Sequence, residues 1–256
     1  MSEQSHKNAL VTGGGRRIGR AIAEGLAADG WNVAIHCFQS REDADALAND
    51  LASRGVRATA ICARLDAEEE LAGLLRGAEK ALGPISCLIN NASVFEPDTI
   101  ETVTADSWDR HMAVNMRAPL FLSQSFAKAL GNNRRGNIVN IIDQRVWNPT
   151  PWFVSYAASK AGLWSLTQSL ALALAPRIRV NAIGPGPTLP SPRQDEDDFR
   201  AQEAATPLGR GADPEEIAAA VRFILSASSM TGQMIALDGG QHLGWEYPVN
   251  PQCPKE

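Results

Sequence analysis

Short apolar runs alternate with longer amphipathic stretches along the whole chain, and that alternation leaves few folds open. Strands are expected at about 8–12, 31–37, 56–62, 85–90, 137–142, 178–183 and 233–237. Helices are expected at about 17–29, 41–54, 67–82, 105–131, 155–175 and 213–227. Asp66, Thr104, Ser155 and Asp213, the last followed by Pro214, stand where N-caps belong. Strands joined by helices rather than tight turns pair in parallel, so the expected class is α/β, one doubly wound parallel sheet in a single domain. Ligands of such sheets bind beyond the carboxyl ends of the strands. Asn90, Asp143 and Gly184 each follow an expected strand and should converge there.

The first strand runs into Thr12-Gly13-Gly14-Gly15-Arg16-Arg17-Ile18-Gly19, and a helix follows. Strand, glycine turn and helix place a phosphate on a helix N-terminus, where free N–H groups and the macrodipole favour anions. Glycine lets the backbone approach closely. The turn misses the dinucleotide fingerprint at one place, because Arg17 stands where glycine belongs.

Tyr156 and Lys160 lie four residues apart at the head of an expected helix, so they project from one face. Such pairs are common on helix surfaces. A nearby cation favours phenolate and lowers a tyrosine pKa, which makes a proton donor and acceptor usable near neutral pH.

Over about residues 7–243 these features, in this order, resemble the short-chain dehydrogenase/reductase family. The matching elements are Thr12-Gly13 to Gly19, Asn90-Asn91-Ala92 (with Ser93 replacing glycine), Asn115, Tyr156 with Lys160, Arg179-Val180-Asn181, Gly184-Pro185-Gly186 and Asp238-Gly239-Gly240. The resemblance implies a Rossmann-type sheet of seven strands and hydride transfer from a nicotinamide. It implies a catalytic set in which Tyr156 supplies a proton, Lys160 binds the nicotinamide ribose and Asn115 holds a relay water. It also implies cofactor contacts from Gly13, Arg16, Arg17, Ile18, Gly19, Phe38, Ser40, Arg41, Leu65, Asn91, Ala92, Tyr156, Lys160, Pro185 and Gly186.

Two departures narrow the subfamily. The family's serine belongs 13 residues before the tyrosine, and that position holds Asp143. The turn carries Arg16-Arg17. Both features, with Asn91-Ala92-Ser93-Val94-Phe95 and Gln241-His242-Leu243, are similar to pteridine reductases and dihydromonapterin reductases. That resemblance implies a substrate site of Ser93, Phe95, Asp143, Tyr156 and Gly186, with Phe95 stacked on the pterin. An ionised carboxylate only accepts hydrogen bonds. It would repel a developing alkoxide, whereas it suits a ring with N–H donors and a nitrogen awaiting a proton. Trp147 or Trp152 are further candidates to stack on such a ring, with packing as the alternative.

The second strand ends Cys37-Phe38-Gln39-Ser40-Arg41 without the acid that accepts from an NAD ribose. Guanidinium groups of Arg16, Arg17 and Arg41 suit a 2′-phosphate instead, so NADP(H) is the expected cofactor. Either Asp66 contacts adenine from beyond Arg64, or adenine is held differently.

The remaining composition bounds the rest. The chain has 256 residues and net charge −5, with no basic field for nucleic acid. No apolar run reaches the roughly 18–20 residues of a membrane span. Met1–Lys7 is polar, so a cytoplasmic protein is expected. Cys37, Cys62, Cys87 and Cys253 lack metal spacing; no metal is expected, and the first three read as buried free thiols. Residues 187–212 open with Pro187, Pro190 and Pro192 and then an acidic run; they read as a loop with an acidic helix start, which the family resemblance makes a substrate lid, and 243–256 read as a C-terminal tail. A homotetramer is expected through the helices at 105–131 and 155–175, with Leu163, Leu166, Leu170 and Leu174 as an apolar stripe. Two rivals stand beside the pterin reductase: a general NADP-dependent carbonyl reductase or alcohol dehydrogenase, and a non-catalytic NADP(H)-binding protein.

Overall fold

Strands that are apolar on both faces must be covered from both sides, and the chain folds accordingly. The computed structural model describes residues 7–244. The elements, in order, are β1 (Asn8–Val11), α1 (Arg17–Ala28), β2 (Asn32–Cys37), α2 (Arg41–Ser53), β3 (Ala58–Cys62), α3 (Glu68–Leu82), β4 (Cys87–Asn90), α4 (Ala105–His111), α5 (Ala118–Leu130), β5 (Gly136–Ile141), α6 (Val154–Leu174), β6 (Ile178–Pro185), α7 (Glu196–Ala204), α8 (Pro214–Ser226) and β7 (Met234–Leu237). All seven strands form one sheet in the order β3-β2-β1-β4-β5-β6-β7. Every pairing is parallel. This is the expected single Rossmann-type α/β domain, and the strand order reverses between β1 and β4.

Alternation along the strands sorts the core into two layers. Ala9, Val11, Val33 and Ile35 pack with Ile22, Leu26, Ile217 and Val221 on one face. Leu10, Leu88, Ile138 and Val180 pack with Leu74, Leu122 and Phe126 on the other. The expected helix over 105–131 is interrupted by a π-helical turn, Met112–Arg117, between α4 and α5. Thr104 caps α4, trading hydrogen bonds with Ser107. The backbone N–H of Asp213 donates to Glu216 at the head of α8.

Several expectations are corrected. Asp66 does not cap α3; Arg64 engages both of its oxygens at 3.1 and 2.9 Å. Ser155 does not cap α6, which begins at Val154 after Phe153 in the left-handed region (φ 59°). The Ser155 hydroxyl donates to Asp98 instead. Cys37 and Cys62 are not free thiols. They are register partners on the last rung of β2 and β3, with Cα atoms 4.7 Å apart, and are joined as a disulfide. Paired residues of parallel neighbours point to the same face, a relationship that spacing along the chain does not reveal. Cys87 is buried and free, and Cys253 lies outside the described residues.

The leucine stripe on α6 is also redistributed. Leu163 is buried against Ile142, Ala182 and Met234, and Leu170 and Leu174 pack on the sheet core. The helix period carries these side chains to the protein's own interior. Exposed apolar surface on the same pair of helical segments comes instead from Trp108, Phe121 and Leu172. The segment 187–212 holds α7, whose acidic run forms its first turn, with Asp195 accepting from the Asp198 N–H at 2.8 Å. The expected C-terminal tail, beyond residue 244, lies outside the described residues. Among the described residues no helix is long and apolar enough to cross a membrane.

Candidate active site

A cleft of about 840 Å³ opens at the carboxyl ends of the strands, over the β1–β4 reversal. Its floor is knitted by one hydroxyl. Thr12 Oγ1 accepts the backbone N–H groups of Asn91 (2.9 Å) and Ala92 (3.0 Å), while Asn91 Nδ2 donates to the carbonyls of Thr12 (2.8 Å) and Gly13 (3.1 Å). This is the physical reason for a threonine-glycine pair at the end of β1 and an asparagine after β4. Gly13 adopts φ +60°, and a Cβ on Gly19 would lie 2.1 Å from the Gly13 carbonyl oxygen. The turn therefore stays bare, close to the N-terminus of α1.

Arg17 explains the missing glycine. Its φ is +52°, a conformation that glycine adopts freely and other residues adopt at about 1–2 kcal/mol. Its guanidinium donates to the carbonyls of Pro190 (2.8 Å) and Leu189 (3.0 Å), tying the turn to the segment 187–212. Arg16 also lines the cleft and pairs with Asp43 of α2. Gly13, Ile18, Gly19, Phe38, Leu65, Asn91, Ala92, Pro185 and Gly186 line the cleft as well. Ser40 and Arg41 do not. They begin α2, and Arg41 reaches along that helix to Asp45 at 2.8 Å. Arg64 and Asp66 line the cleft as a bonded pair, so the acid is already engaged. His36 was not singled out by any motif. Its Nδ1 accepts from the Gly13 N–H and its Nε2 meets the Ala63 carbonyl, both at 3.0 Å. Burial holds this imidazole below its ordinary pKa, partly offset by the Ala63 bond.

Asp143, Tyr156 and Lys160 converge at the other end of the cleft. Tyr156 Oη donates to Asp143 Oδ2 at 2.8 Å. Lys160 Nζ donates to the Ile141 carbonyl at 2.9 Å and lies 5.6 Å from the centre of the Tyr156 ring. The expected lowering of the tyrosine pKa is overturned. Burial, then the negative charge of Asp143 and the hydrogen bond to it, hold the phenol well above its ordinary value, with the Arg145 charge opposing. Burial brings Lys160 down to about 8, against the attraction of Asp143. The arrangement thus holds a protonated phenol beside a lysine that exchanges protons near neutrality.

Asn115 sits in the π-helical turn, fully buried. Its Nδ2 donates to the Val94 carbonyl (2.9 Å) and Ser159 Oγ (3.0 Å). Its Oδ1 accepts from the Val94 N–H (2.8 Å) and Ser93 Oγ (3.2 Å). Those bonds use the amide's two N–H donors, and the side chain serves as a clamp from the β4 loop to α6. Phe95 stacks on Phe153 at 4.6 Å and meets Tyr156 edge-on at the same distance. Trp147 and Trp152 do not line the cleft; Trp147 contacts Trp164 and His242.

Two further features carry no sequence motif. Asp98 anchors the head of α6: its carboxylate accepts the Ser155 N–H (3.1 Å) and hydroxyl, and its carbonyl accepts from Phe153. Arg145 pairs with Asp143 at 3.2 Å, both side chains 11% exposed. A buried acid accepting a serine at a helix head has no signature in spacing, because its partner lies 57 residues away.

The short chain dehydrogenase family model matches residues 7–200. A structure of FolM alternative dihydrofolate reductase 1 from Brucella suis, in complex with NADP, is 49% identical, covers 94% of this chain and 97% of its own, and superposes with a TM-score of 0.91. Its counterpart from Brucella canis, also complexed with NADP, is 47% identical over 96% and 98% of the two chains, with a TM-score of 0.89. The 3-oxoacyl-[acyl-carrier-protein] reductase FabG of Staphylococcus aureus is 32% identical over 93% of this chain and 98% of its own.

Proposed function

This chain belongs to the short-chain dehydrogenase family, and from that membership we propose an NADPH-dependent reductase of pterin-like substrates, taking a dihydropterin or dihydrofolate to its tetrahydro form. The observation that carries the reading is the Tyr156–Asp143 hydrogen bond, which puts a carboxylate where relatives of this family are expected to hold a serine. Similarity to the two dihydrofolate reductase structures supports it.

The cofactor fits the site on structural grounds. The bare Gly13–Gly19 turn accepts a pyrophosphate at the head of α1. Residues 38–41 at the end of β2 include no acid to meet a ribose 2′-hydroxyl, and Arg16, paired with Asp43, and Arg17 supply cations for a 2′-phosphate. Ile18, Phe38, Leu65, Asn91, Ala92, Lys160, Pro185 and Gly186 would complete the contacts, and Ser40 and Arg41 stand outside the cleft lining. When bound, NADPH supplies the hydride. Tyr156, protonated at rest, supplies the proton to the substrate ring nitrogen as negative charge develops there. Asp143 accepts ring N–H groups, Lys160 binds the nicotinamide ribose, and Phe95, Ser93 and Gly186 border the substrate. Residues 187–212 act as the lid, docked here through Arg17.

A carbonyl reductase is the second reading. Its support is the Asp143–Arg145 pair, which cancels the charge that would repel an alkoxide, and the likeness to FabG. NADPH oxidation followed across dihydropterins, dihydrofolate and ketones separates them: turnover confined to ketones would reject the pterin reading. A cytoplasmic location and a homotetramer complete the proposal. The tetramer rests on the exposed Trp108, Phe121 and Leu172, and sedimentation as a monomer at micromolar concentration would reject it.

A further inference from the structure

Arg145 follows Asp143 by two residues, inside a short 3₁₀ turn that Asp143 itself caps. The carboxylate is held by three donors. Oδ1 accepts the Arg145 N–H at 2.8 Å, and Oδ2 accepts Arg145 Nη1 at 3.2 Å and Tyr156 Oη at 2.8 Å. A carboxylate has about four acceptor sites, so the triad leaves acceptor capacity on Asp143. The guanidinium is fixed as well. Its centre lies 5.8 Å from the Phe95 ring and 5.6 Å from the Phe153 ring, within cation–π range. Asp143, Arg145, Phe95 and Tyr156 all line the same cleft.

Both Asp143 oxygens already accept hydrogen bonds, from Arg145 and Tyr156, and the guanidinium beside them carries only donors. The cleft therefore presents a carboxylate acceptor next to a planar donor, set beside an aromatic ring. A ring bearing an N–H next to a C=O or a basic nitrogen satisfies both. A plain carbonyl satisfies only one, and an unmatched buried polar group weakens binding of the wrong ligand strongly.

We infer that Arg145, paired with Asp143, reads the amino-lactam edge of the substrate heterocycle and is a specificity-determining residue of this site. The inference rests on the pterin-reductase reading and goes beyond it by assigning the discrimination to a named pair. It also changes why the site favours a pterin: matched donors and acceptors decide, rather than repulsion of an alkoxide.

The test compares two probes on the NADP-saturated enzyme, by titration of intrinsic fluorescence. One is a pterin carrying the 2-amino-4-oxo groups, the other an unsubstituted pteridine of the same ring size. Wild type is expected to prefer the pterin by about tenfold or more. Arg145→Lys keeps the charge and loses the planar fork, and Arg145→Met keeps the bulk and loses both. Each is expected to bring the preference within about threefold, with the loss falling on the pterin. NADPH affinity and the melting midpoint serve as controls, and Arg145→Lys carries the test if Arg145→Met does not fold. Full preference in Arg145→Lys overturns the inference, as does equal weakening of both probes, which would make Arg145 a packing residue. A wild type that binds and reduces pterins without preferring the amino-lactam overturns the inference alone. A wild type that neither binds nor reduces any pterin overturns the functional reading beneath it.

Discussion

Tyr156 Oη donates a hydrogen bond to Asp143 Oδ2 over 2.8 Å, and this bond sets the polarity of the whole site. Burial, and after it the Asp143 charge, favour the phenol over the phenolate, so the resting tyrosine carries its proton. A site held in that form is arranged to protonate a substrate as it is reduced.

Tyr156→Phe is expected to lower turnover by about a hundredfold to ten-thousandfold, the usual range for a general acid. NADPH affinity should stay within a few-fold, because only the hydroxyl is removed. Steady-state kinetics and a binding titration measure the two effects. Retention of most activity would assign the proton to another group.

Replacing Asp143 with serine should move two substrate classes in opposite directions. Dihydropterin turnover should fall by at least about tenfold as the charged acceptor disappears. Ketone reduction should rise, because Arg145 is then an uncompensated cation beside the forming alkoxide. Loss of the Asp143 charge also lets the Tyr156 pKa fall, so the alkaline limb of the rate profile should shift to lower pH. Parallel losses on both substrates would make Asp143 structural.

Arg17→Gly restores the residue that the backbone angle favours and removes the tie to Leu189 and Pro190. NADPH should weaken more than NADH, because the lost cation matters most to the extra phosphate. Limited proteolysis within 187–212 should speed up. Unchanged cleavage together with an unchanged NADPH-to-NADH ratio would remove Arg17 from both roles.

His36 should make stability and cofactor affinity fall in acid. Its folded pKa lies below the ordinary 6.5 because the ring is buried. Above 6.5 both states are neutral and the fold keeps its full stability. As pH drops through 6.5 the unfolded chain takes a proton that the folded chain refuses, and stability falls until the lowered folded value is passed. Protonation of Nδ1 would also set it against the Gly13 N–H, in the turn proposed to hold the phosphate. The difference in melting midpoint between wild type and His36→Asn, followed from pH 8 to 5, should therefore narrow as pH falls. A constant difference would contradict this.

The order of strands and helices was readable because its signals are local: apolar runs, glycine turns, and caps such as Thr104. The motif residues Thr12, Gly19, Asn91, Asp143, Tyr156 and Lys160 were readable for a related reason, since each sits at the end of a recognisable strand or at the head of a helix. What escaped depends on register and direction. The Cys37–Cys62 bridge needs the pairing of β2 with β3, and the burial of Leu163 needs the rotation of α6. Arg145 belongs to no motif, and nothing local says that its guanidinium turns inward onto Phe95 and Phe153. The tyrosine pKa follows burial and Asp143, neither of which shows in the spacing of Tyr156 and Lys160.

The reversal between β1 and β4 has a consequence for how the molecule assembles. Leu10 pairs with Leu88, and Thr12 bonds Ile89, so the cleft floor closes only when segments almost eighty residues apart meet. No adjacent strands of the sheet are linked by a hairpin that would rehearse that contact cheaply. Closure of long loops precedes the reward of pairing, which slows folding. In a refolding experiment helical signal should return first, and NADPH binding should return with the late phase, since the proposed nucleotide site lies over the seam whose strands are farthest apart in sequence.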